Sequence, residues 1–499
     1  MTVVRDSSYA PRGAPDERPE GRPSRPTPGL AAILSFILPG LGQIALGAFR
    51  RGVVLGFPLV LTLIVALFVV IGDRKALFGV IQPQVILALI ALDVLLGLIH
   101  LIAIGDAYHT ARSRRARSAW TVGHGSPRLL AVLLVITFVI HGTLGAIGVQ
   151  AYNAVNAVFS LPGSGIGIPA PSFGPTADGS PGASAAPTAY SGPAWAADGR
   201  LNVLLIGGDA GAGRWSLRTD TMIVLSADLA TGRAALFGIP RNLVNAPLAP
   251  EDSGIFPNNR FPDLLNGLWV YADTHRAQFP GGDDAGFRAI TGAVQQLVGV
   301  PLDGAIVVKL QGFVDLVNAL GGVWIDVKSP ISDYAYPKVD GSGYIQLHIP
   351  AGCQHMNGTV ALEYARSRHQ TDDYNRMGRQ QIVLTDLANQ LDPIALITQV
   401  PNLLTIAGTN LKTTFAPADI PAIAEFGASV DRTHIKNVLF DPPTYPEYLT
   451  TKEISKIQNV VRSIFPPVAP VAPRASPTPA ATASLGPSAK PAATCPPSH

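Results

Sequence analysis

The residues whose chemistry is most specific are two aspartates eleven positions apart and a set of arginines at the ends of predicted elements. Asp209 falls in a glycine-rich turn, Gly207 to Gly213, after the apolar run Leu201 to Ile206, and Asp220 opens the next β-prone run. If the two runs pair as strands, both carboxylates meet at one edge of the sheet. Magnesium takes hard oxygen ligands, commonly one or two carboxylates plus phosphate oxygens, so the pair suits Mg2+, with Mn2+ as a substitute. The turn is not a Walker loop, because no Gly-Lys-Ser/Thr follows, and its spacing fails the dinucleotide fingerprint. Two turn aspartates that only cap backbone amides are the structural alternative.

Arg218, Arg241, Arg366, Arg368, Arg376 and Arg379 each stand beside a predicted strand end or helix start, in a chain with only 14% charged residues. A guanidinium stays charged at any relevant pH and donates two parallel hydrogen bonds, which suits phosphate. Arg376 and Gln380 are four apart and share a helix face. The alternation of Arg366-Ser367-Arg368, read as an extended segment, aims both arginines the same way. A solvated basic face is the alternative for the helix arginines.

The elements that must position these residues lie between about 199 and 464. Leu201–Ile206, Thr221–Ser226 and Ala234–Ile239 read as a strand meander, and Ala285–Val298 has helical periodicity. Ala305–Leu310, Gly312–Leu320 and Val323–Val327 read as strand, helix, strand, and Asn357–Tyr364 and Arg376–Leu391 as helices. This alternation predicts an α/β fold, an α-β-α sandwich around a mixed central sheet.

Outside that domain, residues 1–29 and 465–499 have compositions expected to be disordered, and 153–198 reads as a flexible linker. Residues 30–152 hold four apolar segments, at 30–48, 52–72, 82–105 and 128–149. The last three are long enough to cross a bilayer, which takes about 20 helical residues. The first, interrupted by Pro39-Gly40-Leu41-Gly42-Gln43, reads as re-entrant. Arg112, Arg114, Arg115 and Arg117 place their loop on the cytoplasmic side, so everything after the fourth segment is expected outside; Arg74-Lys75 is the one violation. Asp93, His100 and His141 fall inside the segments, where an ionisable group is a functional candidate. A net charge of +3 with no clustered basic face argues against nucleic-acid binding. Cys353 and Cys495 are the only cysteines, and no disulfide is expected, because Cys495 sits in the Pro/Ala-rich tail.

Taken together, Leu204 to Asp209, Arg218-Thr219-Asp220-Thr221-Met222, Ile239-Pro240-Arg241, Asn266, Tyr364 to Arg368 and Asp373 to Gln381 resemble, in order and spacing, the LytR-CpsA-Psr family. The resemblance covers about 200–390 and weakens toward 460. It implies a membrane-anchored, extracytoplasmic enzyme, a phosphotransferase that moves a glycopolymer phosphate from a polyprenyl-diphosphate carrier to a cell-wall acceptor such as peptidoglycan. By motif, Asp209 and Asp220 match the magnesium ligands; Arg218, Arg241, Arg366, Arg368 and Arg376 match the diphosphate clamp, with Gln380 close by. Asp373 matches an acid of the site, and it or Asp209 is the expected general base. Val203, Leu205, Ile223, Ile306, Phe313 and Leu316 could line a lipid tunnel, and serve equally as core. Two features depart from the family: Asn242 and Leu243 stand where an acid and a small hydroxyl residue usually follow Pro-Arg, and the multi-span region replaces a single helix. Hydrolysis of the lipid diphosphate, or a non-catalytic sensor of envelope precursors, are the competing readings.

Overall fold

The computed structural model describes residues 26–72, 79–117, 127–161, 199–209, 218–338, 342–368, 372–390 and 411–464, with 406, 408, 410 and 495 besides. Most of the expected disordered tails and of the expected linker lies outside the described residues; within the first tail, a helix already begins at Pro28. The chain forms two compact units, the first built from residues within 1–72 and 89–146 and the second containing 147–499.

In the first unit Thr27 caps α1 (Pro28–Ile37) by accepting from the Leu30 amide. The chain then breaks at Leu38-Pro39-Gly40, where Gly40 takes φ 90°, and resumes as α2 (Leu41–Ala45). A side chain at Gly40 would collide with the Gly52 carbonyl, so the break needs glycine twice over. Gln43 seats it: buried, it accepts from Ser35 Oγ at 3.0 Å and donates to the Ala103 carbonyl at 2.8 Å and to Asp106 at 3.1 Å. Among the described residues three helices, α3 (Phe49–Gly72), α4 (Pro83–Arg117) and α5 (Pro127–Val158), are long and apolar enough to cross a membrane. α5 continues to Val158, into the stretch expected as linker.

The second unit is a mixed α/β domain. Its strands are β1 (Arg200–Asp209), β2 (Arg218–Asp228), β3 (Ala234–Gly238), β4 (Val244–Pro247), β5 (Arg260–Leu264), β6 (Gly304–Lys309), β7 (Val323–Val327), β8 (Ile331–Pro337), β9 (Tyr344–Ile349), β10 (Gly352–Met356), β11 (Leu411–Thr413) and β12 (Lys436–Leu439). Among the described residues its helices of seven residues or more are α6 (Leu268–Thr274), α7 (Ala285–Val298), α8 (Leu310–Ala319), α9 (Gly358–Arg366), α10 (Asp373–Gln390), α11 (Ile420–Ser429) and α12 (Thr451–Ile464). The central sheet runs β11-β6-β1-β2-β3-β12, with β1–β6 and β3–β12 parallel and the other pairs antiparallel.

Alternation along the strands divides the domain into layers. Leu204, Ile206, Met222, Val224 and Phe237 face a core shared with α6, α7 and α12, where the Phe237 and Phe440 rings stack 6.3 Å apart. Full burial of each such side chain contributes about 1.5–3 kcal/mol. On the other face Leu201 and Val203 pack with Phe415 and the apolar side of α11, while α10 lies over β3 and β12 through Gln381, which donates to the Leu236 and Val438 carbonyls at 3.1 Å each. Helices thus cover both faces of a mixed sheet. Val203, Leu205, Ile223 and Ile306 lie on the α11 face, and Phe313 belongs to a second core of β7–β10, α9 and α10.

Two expectations are corrected. Cys353 of β10 and Cys495 are disulfide-bonded, their Cα atoms 5.6 Å apart; composition could not show that the tail returns to a strand 142 residues earlier. Arg366 is the last residue of α9 rather than part of an extended segment, with Ser367 as the C-cap.

Candidate active site

The two ends of the predicted motif set meet where β1, β2 and the start of α10 converge. β1 pairs with β2 residue for residue until Gly207, opposite Thr221; Gly208 then lies opposite Thr219, so Asp220 is an extra residue in β2. Such a bulge re-aims side chains. As a result the consecutive residues Asp220 and Thr221 both line one cleft, of about 550 Å³, together with Gly207. A Cβ on Gly207 would sit 3.1 Å from the Thr221 side chain, which is why the strand carries glycine there.

Arg241, placed just after β3, has its carbonyl held by the Asn266 amide at 3.0 Å. Its guanidinium donates from Nη1 to Asp220 Oδ1 at 2.5 Å and from Nε to Asp373 Oδ2 at 2.9 Å. Burial works against the Arg241 charge, but the bonds to Asp220 and Asp373 outweigh it and leave the guanidinium above its ordinary value. Asp373 opens α10 and collects two further arginines, Arg376 at 3.0 Å through Oδ2 and Arg368 at 3.5 Å through Oδ1. Arg376 also donates to the Asp220 carbonyl at 3.0 Å.

The cleft carries spare donors. Arg376 is 4% exposed and its Nε has no hydrogen-bond partner; Arg366 Nη1 is likewise buried without one. Both residues line the cleft, with Arg368 and the buried Gln380. Burial pushes the Arg376 guanidinium down to about 10, with Asp373 opposing and Arg241 adding to the shift. Arg366 also lies 5.8 Å from the ring centre of Tyr336, which lines the same cleft. The first turn of α10 adds the positive end of its dipole.

Arg379, one turn along from Arg376, does something else. Buried, it donates to the Tyr364 carbonyl at 2.8 Å and to the Ser367 carbonyl, tying down the end of α9. Arg218 is exposed at the start of β2, two residues from Asp220, and is not among the residues lining the cleft. Asp209 is placed by its backbone, opposite Arg218 at the end of β1. Among the described residues, no three His, Cys, Asp or Glu side chains are arranged to hold a metal.

Three features were not legible in the sequence. Asp333 on β8 accepts from Ser367 Oγ at 2.9 Å, locking the β8–β9 hairpin to the Arg366-Ser367-Arg368 stretch. Tyr336 and Pro337 of the same hairpin wall the cleft. Thirdly, Asn242 Nδ2 donates to Glu447 and, at 3.4 Å, to the Tyr374 hydroxyl, which itself donates to Glu447 at 2.9 Å. A carboxylate therefore stands beside position 242 although residue 242 is not an acid. Burial pushes the Tyr374 hydroxyl up to about 12, with Glu447 adding and Asn242 opposing. Proximity of the 447 loop had no local sequence signal, because a parallel bridge from Val244 to Tyr448 creates it.

A profile of the LytR_cpsA_psr family matches residues 180–452, over half of the chain. The cell wall biosynthesis protein LcpA of Corynebacterium glutamicum is 27% identical over 235 residues, 42% of this chain and 44% of LcpA. The polyisoprenyl-teichoic acid–peptidoglycan teichoic acid transferase TagV of Bacillus subtilis is 25% identical over 198 residues, 39% of this chain and 44% of TagV. In both cases the match spans less than half the relative's length. The crystal structure of B. subtilis TagV aligns with a TM-score of 0.40 at 20% identity, covering 53% of this chain and 97% of that one. On the family profile, the chain belongs to the LytR_cpsA_psr family.

Proposed function

We propose that this protein is a membrane-anchored phosphotransferase that moves a glycosyl phosphate from a polyprenyl-diphosphate carrier to a cell-wall hydroxyl such as one on peptidoglycan. The observation that carries the reading is the pair of buried guanidinium donors without acceptors, Arg376 Nε and Arg366 Nη1, lining one cleft with Arg368. Leaving buried donors unpaired costs free energy, and a diphosphate supplies the acceptors. TagV's own name describes a polyisoprenyl-teichoic acid–peptidoglycan teichoic acid transferase, in keeping with this chemistry.

Arg366, Arg368 and Arg376 bind the diphosphate, and Gln380 orients it. Arg241 holds Asp220 and Asp373 in register, and Asp373 in turn aligns Arg376 and Arg368. The acceptor hydroxyl attacks the phosphorus nearer the glycan. The bond from that phosphorus to the bridging oxygen breaks, polyprenyl monophosphate leaves, and the hydroxyl proton passes to a carboxylate, Asp373 or Asp209. In such loose transition states positioning and charge neutralisation do most of the work. The donors suit magnesium when substrate oxygens complete its shell: Asp220, with one oxygen on Arg241, and Asp209 are the carboxylates that would hold it. When bound, it would neutralise charge on the diphosphate oxygens of the carrier. The basic segment Arg112 to Arg117 supports a cytoplasmic loop before α5, and so an extracytoplasmic cleft.

The test is release of polyprenyl monophosphate by the full chain in detergent from a polyprenyl-diphosphate glycan, with and without Mg2+ and peptidoglycan. Release that needs both supports transfer, release without acceptor indicates hydrolysis, and no release under any condition overturns both enzyme readings.

A further inference from the structure

The membrane unit holds a polar chain that the transferase reading does not use. Asp93 and His100 lie on one side of α4, and His141 sits near the middle of α5. His141 Nδ1 is 2.8 Å from Asp93 Oδ1, His141 Nε2 is 3.5 Å from His100 Nδ1, and His100 Nε2 is 2.9 Å from the Phe36 carbonyl. Gly97, between the two α4 residues, makes room: a Cβ there would sit 3.0 Å from the His141 ring.

The partners fix where the hydrogens go. A carbonyl only accepts, so His100 Nε2 carries a hydrogen; with Asp93 as the carboxylate, which only accepts, His141 Nδ1 carries one too. In two neutral rings the remaining nitrogens, His141 Nε2 and His100 Nδ1, therefore point lone pairs at each other. One added proton turns that opposition into an N–H···N bond. It also cancels the Asp93 charge, and an uncancelled charge is costly in a bilayer. The Phe36 carbonyl is among the last of α1, where the helix dipole favours a nearby cation.

We propose that Asp93, His141 and His100 form an intramembrane site that binds a single proton and is neutral when loaded. The proton can rest between the imidazoles with Asp93 ionised. Alternatively, the Nδ1 hydrogen of His141 can move onto Asp93 with the same proton count, so the chain can pass a proton between α4 and α5. Among the described residues, the groups facing the site are Asp93 and His100 from α4, His141 from α5 and the Phe36 carbonyl and Ser35 backbone from α1. The next charged pair described, Asp106 with Arg51 at 3.8 Å, lies further along α4 on Gln43. The inference is independent of the transferase reading.

The test is nitrogen NMR of the full chain, ¹⁵N-labelled at histidine, in lipid nanodiscs across a pH series, with His109 as internal reference. The expected result is one proton taken up by His100 and His141 together, with an N–H···N signature. Asp93→Asn should weaken proton affinity about tenfold or more, since an opposite charge at this distance is worth about 1–3 pKa units. Two rings that each take their own proton in the wild type would overturn the site, whatever the variant does. So would an Asp93→Asn protein that elutes as the wild type and titrates identically.

Discussion

Replacing Arg376 by methionine should separate its cost to the fold from its use in the site. Burial lowers this guanidinium from 12.5 to about 10 while it is 4% exposed, so at any pH below about 10 the charged form costs the folded state about 3 kcal/mol. The cost fades as pH rises from there toward the unfolded value. Methionine removes it. What methionine forfeits is two hydrogen bonds, to the Asp220 carbonyl, worth about 1 kcal/mol, and to the charged Asp373, worth about 1.5–3 kcal/mol; Asp373 still has Arg241. The terms nearly cancel, so stability should move by no more than about 1 kcal/mol either way, or about 2–4 °C for a domain of this size. Turnover should fall about 100-fold or more, the scale of losing one charge-stabilising donor. Arg379→Met is the control. It strands the Tyr364 and Ser367 carbonyls and should cost about 2–4 kcal/mol. Differential scanning fluorimetry of both variants in detergent, with the release assay beside it, decides the matter. A melt lowered by about 4 °C or more in Arg376→Met would mean that Arg376, like Arg379, is structural.

Asp220→Asn should lower turnover about 100-fold and shift the Mg2+ activation curve to higher concentration, measured as release against metal; an unchanged curve would remove Asp220 from the metal's ligands. Asn242→Asp sets a second carboxylate against Glu447 and should destabilise by about 1 kcal/mol, a loss that Asn242→Asp/Glu447→Gln relieves in a denaturant double-mutant cycle. Thiol labelling under denaturing, non-reducing conditions should find no free thiol in the wild type and one in Cys495→Ser, reading out the Cys353–Cys495 bond directly.

What the sequence disclosed and what it withheld follow from the range of each interaction. α7 begins and ends where its periodicity predicts, and β7 matches its expected bounds, because apolar spacing is a local property. The convergence of Arg241, Asp220 and Asp373 was legible from motif order, since each residue abuts a strand or helix end and those ends share one edge of the sheet. The bulge that turns both Asp220 and Thr221 into the cleft was not, because a register slip depends on the partner strand. Arg376 and Arg379 look alike in sequence; only the carbonyls at the end of α9 set the structural clamp Arg379 apart from Arg376, the proposed substrate donor. The same limit hid Glu447, carried to Asn242 by a bridge between segments two hundred residues apart. It hid the pairing of Cys495 as well.

The central claim is that an acceptor hydroxyl, not water, takes the phosphorus in the cleft. Running the reaction with Mg2+ and peptidoglycan in ¹⁸O-water, then analysing the released glycan ends by mass spectrometry and ³¹P NMR, tests it most directly. The account predicts a phosphodiester joining glycan to a wall sugar with no ¹⁸O on phosphorus, formed one for one with polyprenyl monophosphate. A free glycan phosphate carrying ¹⁸O would contradict it.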